Sequence, residues 1–167
     1  SGGKDSYMSF LYAHEQGLSV AALLTFIDHD QRSRSHGLKT AILEKQAAAL
    51  GIPLVTKAVT WESYEQGFEE AVRKLVTEYG VTGGVFGDIN LLAHRQWVEK
   101  FCWGNSIEYN LPLWLKEEEA IIEDLINRGI KAMIVAIRND LVDQCWLGRY
   151  LDLGFINYCK EHSISPC

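Results

Sequence analysis

The feature that most constrains this chain is a repeated rhythm: an apolar helical stripe closed by a glycine, set between short β-branched runs. Met8, Leu11 and Tyr12 share one helical face ahead of Gly17, and Leu38, Ala41, Ile42, Ala48 and Ala49 do so ahead of Gly51. The clearest stripe is Phe68, Ala71, Val72, Leu75, Val76 and Tyr79 before Gly80; Ala120, Ile121, Leu125 and Ile126 lead to Gly129. Spacings of three and four mark a buried stripe, and a glycine after the last turn supplies a left-handed cap. Between the helices lie Val20–Ile27, Leu54–Val59, Val81–Phe86 and Ala132–Ile137. Runs apolar at nearly every position suit strands covered on both faces of a parallel sheet. Alternation of the two predicts one doubly wound, mostly parallel α/β sandwich. No linker, repeat or low-complexity tract divides residues 1–167, so a single domain is expected.

The chain opens at Ser1 on a turn and a helix, with no strand-like run and no initiator Met before them. The expectation is therefore an upstream segment that supplies a first, central strand.

Charge and cysteine usage exclude several classes. Lys and Arg total 16 against 22 Asp and Glu, a net charge of −6, which disfavours wide contact with a nucleic-acid backbone. Cys102, Cys145, Cys159 and Cys167 form no C-x-x-C pair, so neither a zinc ribbon nor a redox dithiol is signalled. No run approaches the roughly 20 apolar residues of a membrane span, and no signal-peptide pattern is present, so the expected location is cytoplasmic.

Ser1-Gly2-Gly3-Lys4-Asp5-Ser6 stands where a helix begins. Paired glycines let backbone amides approach an anion, and the first turn of a helix carries partial positive charge. The Ser1 and Ser6 hydroxyls and the Lys4 ammonium add donors; Asp5 would repel phosphate unless it holds a metal or orients the loop. The string lacks the G-x-x-x-x-G-K-[ST] spacing, so γ-phosphoryl transfer is not implied. An ordinary helix-capping turn is the bland alternative.

A second informative stretch, Gly83-Gly84-Val85-Phe86-Gly87-Asp88-Ile89, ends a predicted strand, on the edge where open α/β sheets bind ligands. Gly87 permits close approach of a nucleotide, and Asp88 suits a ribose hydroxyl or a magnesium ion. His94-Arg95-x-Trp97-Val98-Glu99-x-x-Cys102 follows, then Asn110-Leu111-Pro112-Leu113-Trp114. Arg95 and Glu99, four apart on a predicted helix, also fit a plain surface ion pair. His14, His29, His94 and His162 make no metal spacing.

These strings carry a resemblance. Ser-Gly-Gly-Lys-Asp-Ser resembles the signature of PP-loop ATP pyrophosphatases. The Gly-Asp-Ile, His-Arg-x-Trp-Val-Glu-x-x-Cys and Pro-Leu-Trp strings, with His36-Gly37, resemble the diphthine–ammonia ligase family within them, in order from Ser1 to about Asp152. The resemblance implies a Rossmann-like fold of the adenine nucleotide α-hydrolase (HUP) type. It implies that Ser1, Gly2, Gly3, Lys4, Asp5 and Ser6 hold the phosphates of ATP, and that Asp28 and His36 lie beside the adenosine. Gly87 and Asp88 would complete that pocket, and Arg95 and Glu99 would face the acceptor substrate. Lys4, Asp5 and Asp88 become the expected catalytic residues, with Asp5 and Asp88 as Mg2+ ligands. The family continues into a Glu–aromatic–His–Thr string, so a further C-terminal segment is expected beyond Cys167.

The reaction so implied is adenylation of a carboxylate with release of pyrophosphate, then amidation by ammonia. Its products are an amide and AMP. The acceptor that the family implies is diphthine on elongation factor 2, and a homodimer is a superfamily expectation. Two alternatives stand beside it: a tRNA-modifying PP-loop enzyme, disfavoured by the acidic balance and unpaired cysteines, and a non-catalytic adenine-nucleotide sensor.

Overall fold

The computed structural model describes residues 2–166, so Ser1 and Cys167 lie outside the described residues. The fold is α/β. Helix α1 (Lys4–Glu15) is followed by strand β1 (Leu23–Ile27), α2 (Thr40–Leu50), β2 (Leu54–Ala58) and α3 (Tyr64–Tyr79). Then come β3 (Gly83–Val85), α4 (Leu92–Gly104), β4 (Glu108–Asn110), α5 (Glu118–Asn127) and α6 (Leu153–His162). Strands β1 and β2 pair in parallel, Leu23 opposite Leu54 through Ile27 opposite Ala58, and β3 and β4 pair in parallel from Gly83–Glu108 to Val85–Asn110. Each pair is a strand–helix–strand unit, with α2 and α4 as the crossovers that parallel pairing requires. Gly51 and Gly80, at φ 67° and 64°, cap α2 and α3 in the left-handed region, where a Cβ would be penalised.

Three apolar clusters hold the elements together. Met8 of α1 meets Ile89, Leu113 and, from α5, Ile121 and Leu125. Phe68 and Val72 of α3 meet Val98, Phe101 and Cys102 of α4, with Leu24 and Phe26 of β1 and Phe86 packed against them. Side chains alternate along a strand, so Thr25 and Ile27, both buried, face the other way from Leu24 and Phe26. In this second cluster Phe68 lies 4.4 Å from Phe101 between ring centroids, and Trp97 stacks on Phe101 at 4.9 Å. The third cluster is C-terminal: Ile134, Val142, Trp146, Phe155 and Cys159.

Several expectations need correction. Ala132–Ile137 is not a sheet strand. Its backbone folds onto residues 148–151, with Ile134 N–H donating to Arg149 O, Leu151 N–H to Ala132 O, and one antiparallel bridge between Met133 and Tyr150. That segment serves the third cluster instead. The strand edge beside β3 is taken by β4, whose sequence Glu-Tyr-Asn has no apolar run to reveal it. The stripe on α2 is also out of phase: Leu43 and Ala47 are buried and Ile42 is exposed, because α2 turns Leu43 toward the glycine loop. Val76 and Tyr79 of α3 are likewise solvent-facing. Among the described residues, no helix is long and apolar enough to cross a membrane.

Candidate functional site

The glycine loop is shaped by what presses on it. Gly2, at φ 77°, lies against Leu43 and Gln46, and Gln46 Nε2 donates to Gly2 O at 3.2 Å. A Cβ on Gly3 would run into His36 Nε2 and stand 2.9 Å from His36 Cδ2, so the imidazole is seated on the loop backbone. Gly3 precedes the first turn of α1 without a side-chain cap, and the hydrogen bond closing on its carbonyl comes from Tyr7 N–H at 3.1 Å. The amides ahead of Tyr7 belong to the set that a helix start leaves for an outside acceptor. Ser6 Oγ donates back to Gly3 O at 3.0 Å, and Lys4 Nζ donates to Asp5 Oδ1 at 2.7 Å. Crowding around the His36 ring removes hydration that a charged imidazole would need and lowers its pKa, although the side chain keeps an exposed edge. A neutral ring therefore sits on the loop at pH 7.

The second stretch meets the first here. A Cβ on Gly87 would stand 3.1 Å from Asp5 C, 3.2 Å from Asp5 O and 3.2 Å from Ser6 N. The chain leaving β3 thus lies backbone against backbone on the first turn of α1. Asp88 follows directly, and its Oδ1 is 2.9 Å from Nδ1 of His94, in the first turn of α4. The sequence reading left His94 out of the site; its place six residues after Asp88, at a helix start, was the available signal.

The other expected residues are each engaged with neighbours. Asp28 directly follows β1, and its Oδ1 accepts from the Arg32 and Asp30 amides at 2.9 Å each, and these bonds hold its pKa below the ordinary carboxylate value. It shapes the loop after β1. Arg95 and Glu99 form an ion pair at 2.7 Å, with Tyr109 Oη donating to Glu99 at 3.2 Å and the guanidinium 5.2 Å from the Trp114 ring centre. The hydrogen bond from Arg95 lowers the Glu99 pKa. That set is closed on itself. Two surface hollows lie apart from the loop, one lined by Glu99, Trp103, Ile107, Glu108 and Tyr109, the other by Tyr12, Lys116, Asp124 and Arg128 among others.

Among the described residues, Asp5 and Asp88 each commit one carboxylate oxygen to a neighbour and keep the other. Among the described residues no group of three or more His, Cys, Asp and Glu side chains is arranged to hold a metal ion. Two carboxylates beside an anion-receptive helix start fit a magnesium ion that arrives on a polyphosphate and do not fit a cage built wholly of protein.

No curated protein matches the chain. The family model for the diphthamide synthase N-terminal domain matches residues 1–108, from the glycine loop through α4 to the first residue of β4. That span holds the loop, His36, Gly87, Asp88, His94 and the Arg95–Glu99 pair. The chain belongs to the diphthamide synthase N-terminal domain family, a PP-loop ATP pyrophosphatase family of ATP-utilising enzymes.

Proposed function

We propose that this domain binds magnesium-ATP on residues 1–6 and is cut for α-phosphorus chemistry, adenylating a substrate carboxylate and then passing the acyl group to ammonia. The carboxylate oxygen bonds to the α-phosphorus as the bond to the bridging oxygen of pyrophosphate breaks. Nitrogen then displaces AMP to leave the amide, with loss of a proton. Lys4 and the first-turn amides receive the charge that builds on departing pyrophosphate, and Asp88 adjoins the nucleotide. Asp5 and Asp88 would hold magnesium, which would supply charge neutralisation on the phosphates. His36 and Gly87 keep the loop in shape from either side, and Asp28 and His36 border the adenosine. Arg95 and Glu99, by family resemblance, belong to the acceptor side. The acceptor of a diphthine–ammonia ligase is diphthine on elongation factor 2, and that protein is the first candidate partner.

The observation that carries this reading is the contact of Gly87 with the Asp5–Ser6 backbone, which brings a strand-end carboxylate to a glycine loop at a helix start. The test is product analysis with magnesium-ATP, ammonium and a diphthine-bearing elongation factor 2. Acceptor-dependent AMP and pyrophosphate are expected, and Lys4→Ala is expected to abolish them while leaving the melting temperature within a few degrees. ADP and phosphate as products, or an active Lys4→Ala protein, would overturn the proposal.

A further inference from the structure

The Asp88 carboxylate is steered from outside its own loop. The backbone around it is pinned on both sides: Gly87 lies against Asp5 and Ser6, and Ile89 is buried in the cluster of Met8, Leu113, Ile121 and Leu125. Ile89 O also accepts from Leu115 N–H at 2.7 Å. What these contacts leave open is the direction of the Asp88 side chain. His94 fixes it, with Nδ1 standing 2.9 Å from Asp88 Oδ1. An ionised carboxylate can only accept hydrogen bonds, so Nδ1 carries the proton and donates it. No other hydrogen bond to the Asp88 carboxylate forms among the described residues, which leaves Oδ2 as the oxygen on offer.

The mount of that donor is secure. His94 lies in the first turn of α4, its N–H bonded to Leu91 O at 3.0 Å, one turn ahead of Val98, which is buried with Phe101 and Cys102. Residues four apart share a helix face, so the ring stands at the open end of the face that packs on α3 and Phe86. The side chain itself is 62% exposed, too open for its bond to Asp88 to serve core packing. Asp5 shows the same arrangement, with Lys4 Nζ donating to Oδ1 at 2.7 Å. The two carboxylates beside the Gly87 contact therefore each have one oxygen tied to a nitrogen donor and one left for an outside partner. Donors that fix a ligating carboxylate change metal affinity by roughly 10- to 100-fold.

We propose that His94 is a positioning residue: its Nδ1–H holds Asp88 Oδ1 so that Oδ2 is presented to the magnesium ion of bound ATP. His94 acts through Asp88 and not on the nucleotide. The proposal rests on the reading of residues 1–6 and Asp88 as a magnesium-ATP site, and it is independent of which acceptor is adenylated.

Calorimetric titration of the full chain with ATP, in magnesium and in EDTA, gives the factor by which magnesium tightens binding. In His94→Ala that factor is expected to fall about tenfold, with ATP affinity in EDTA changed less than about twofold and the melting temperature within a few degrees of the parent's. His94→Asn carries an N–H donor at the same remove from the backbone as Nδ1 and is expected to bring the factor back to within about threefold of the parent's. Asp88→Ala is expected to lose the factor as well, and the double variant to lose no more than Asp88→Ala alone, as two groups acting as one unit require. A histidine that only braces the fold would instead weaken ATP equally in both media and gain nothing from asparagine. An unchanged factor in His94→Ala, additive losses in the double variant, or no recovery in His94→Asn would each overturn the proposal. A parent protein that binds ATP in neither medium would sink the magnesium-ATP reading and the positioning role with it. ADP in the product assay would sink the adenylation reading alone, leaving the role of His94 standing.

Discussion

Gly87→Ala tests the contact on which the site is built. Gly87 does not have a positive φ, so alanine faces no backbone penalty there, and the whole effect arises from where the new methyl lands. It would meet three backbone atoms of Asp5 and Ser6 at 3.1–3.2 Å, several tenths of an ångström inside ordinary contact. Those atoms cannot swing aside as a side chain would, since Gly2 is seated on Leu43 and Gln46 and Gly3 on His36. Overpacking a close contact costs about 1–3 kcal/mol. Restricting the unfolded chain by replacing glycine returns about 0.4–1 kcal/mol. From the middle of each range the net is a loss of about 1.3 kcal/mol, with extremes of about 0 and 2.6, or a melting temperature lower by roughly 3–5 °C at that midpoint for a chain of this size. Because the strain falls on the first turn of α1, magnesium-ATP affinity should drop by about tenfold, equivalent to about 1.4 kcal/mol. Calorimetric melting and titration with magnesium-ATP measure both. Gly104→Ala is the control: it ends α4 with nothing within 4 Å of the added methyl, so it should be neutral or slightly stabilising. A Gly87→Ala protein with the parent's melting temperature and ATP affinity would refute the reasoning.

Gly3→Ala should also weaken ATP binding, by displacing His36, and Gly3→Ala/His36→Ala should recover part of the loss; a strictly additive double variant would show that the imbricated ring is not the obstacle. Tyr12 has its pKa pushed up to about 12, first by burial and then by its 2.7 Å hydrogen bond to Asp124, so the fold prefers the neutral phenol. That contribution is complete below about pH 10, the ordinary tyrosine value, and is lost as pH rises through about 12. Urea unfolding across pH 9–12 should therefore show an alkaline decline that is shallower in Tyr12→Phe; equal slopes in the two proteins would contradict it.

The parts of this molecule legible in the sequence were those where local chemistry and tertiary demand coincide. Paired glycines before a helix, and Gly-Asp after a strand, were legible as a helix start and a strand end, while their contact at Gly87 and Asp5 is a tertiary fact. Phe68, Ala71, Val72 and Leu75 read as a buried stripe because α3 covers the sheet along that face. The failures have a common cause in what lies outside a local window. Ile42 and Leu43 are equally apolar, and only the position of the glycine loop decides that Leu43 turns in. Glu108–Asn110 is a strand because β3 offers an open edge, not because its residues favour one. Ala132–Ile137 has strand composition but finds residues 148–151 before it finds a sheet.

Helix α1 is fixed at its far end by a different set of forces. Tyr12 bonds to Asp124, Arg128 bridges Asp124 and Glu15, and Lys116 and Arg128 lie over the Tyr12 ring, so the last turn is riveted to α5. Twelve residues at 1.5 Å each make a strut about 18 Å long with one end clamped. A clamped strut does not slide when charge arrives at its tip. Recoil from an incoming polyphosphate would pass sideways, through the Gly87 backbone and Asp88 into His94 and α4. Mechanically, α1 is the anvil of this domain.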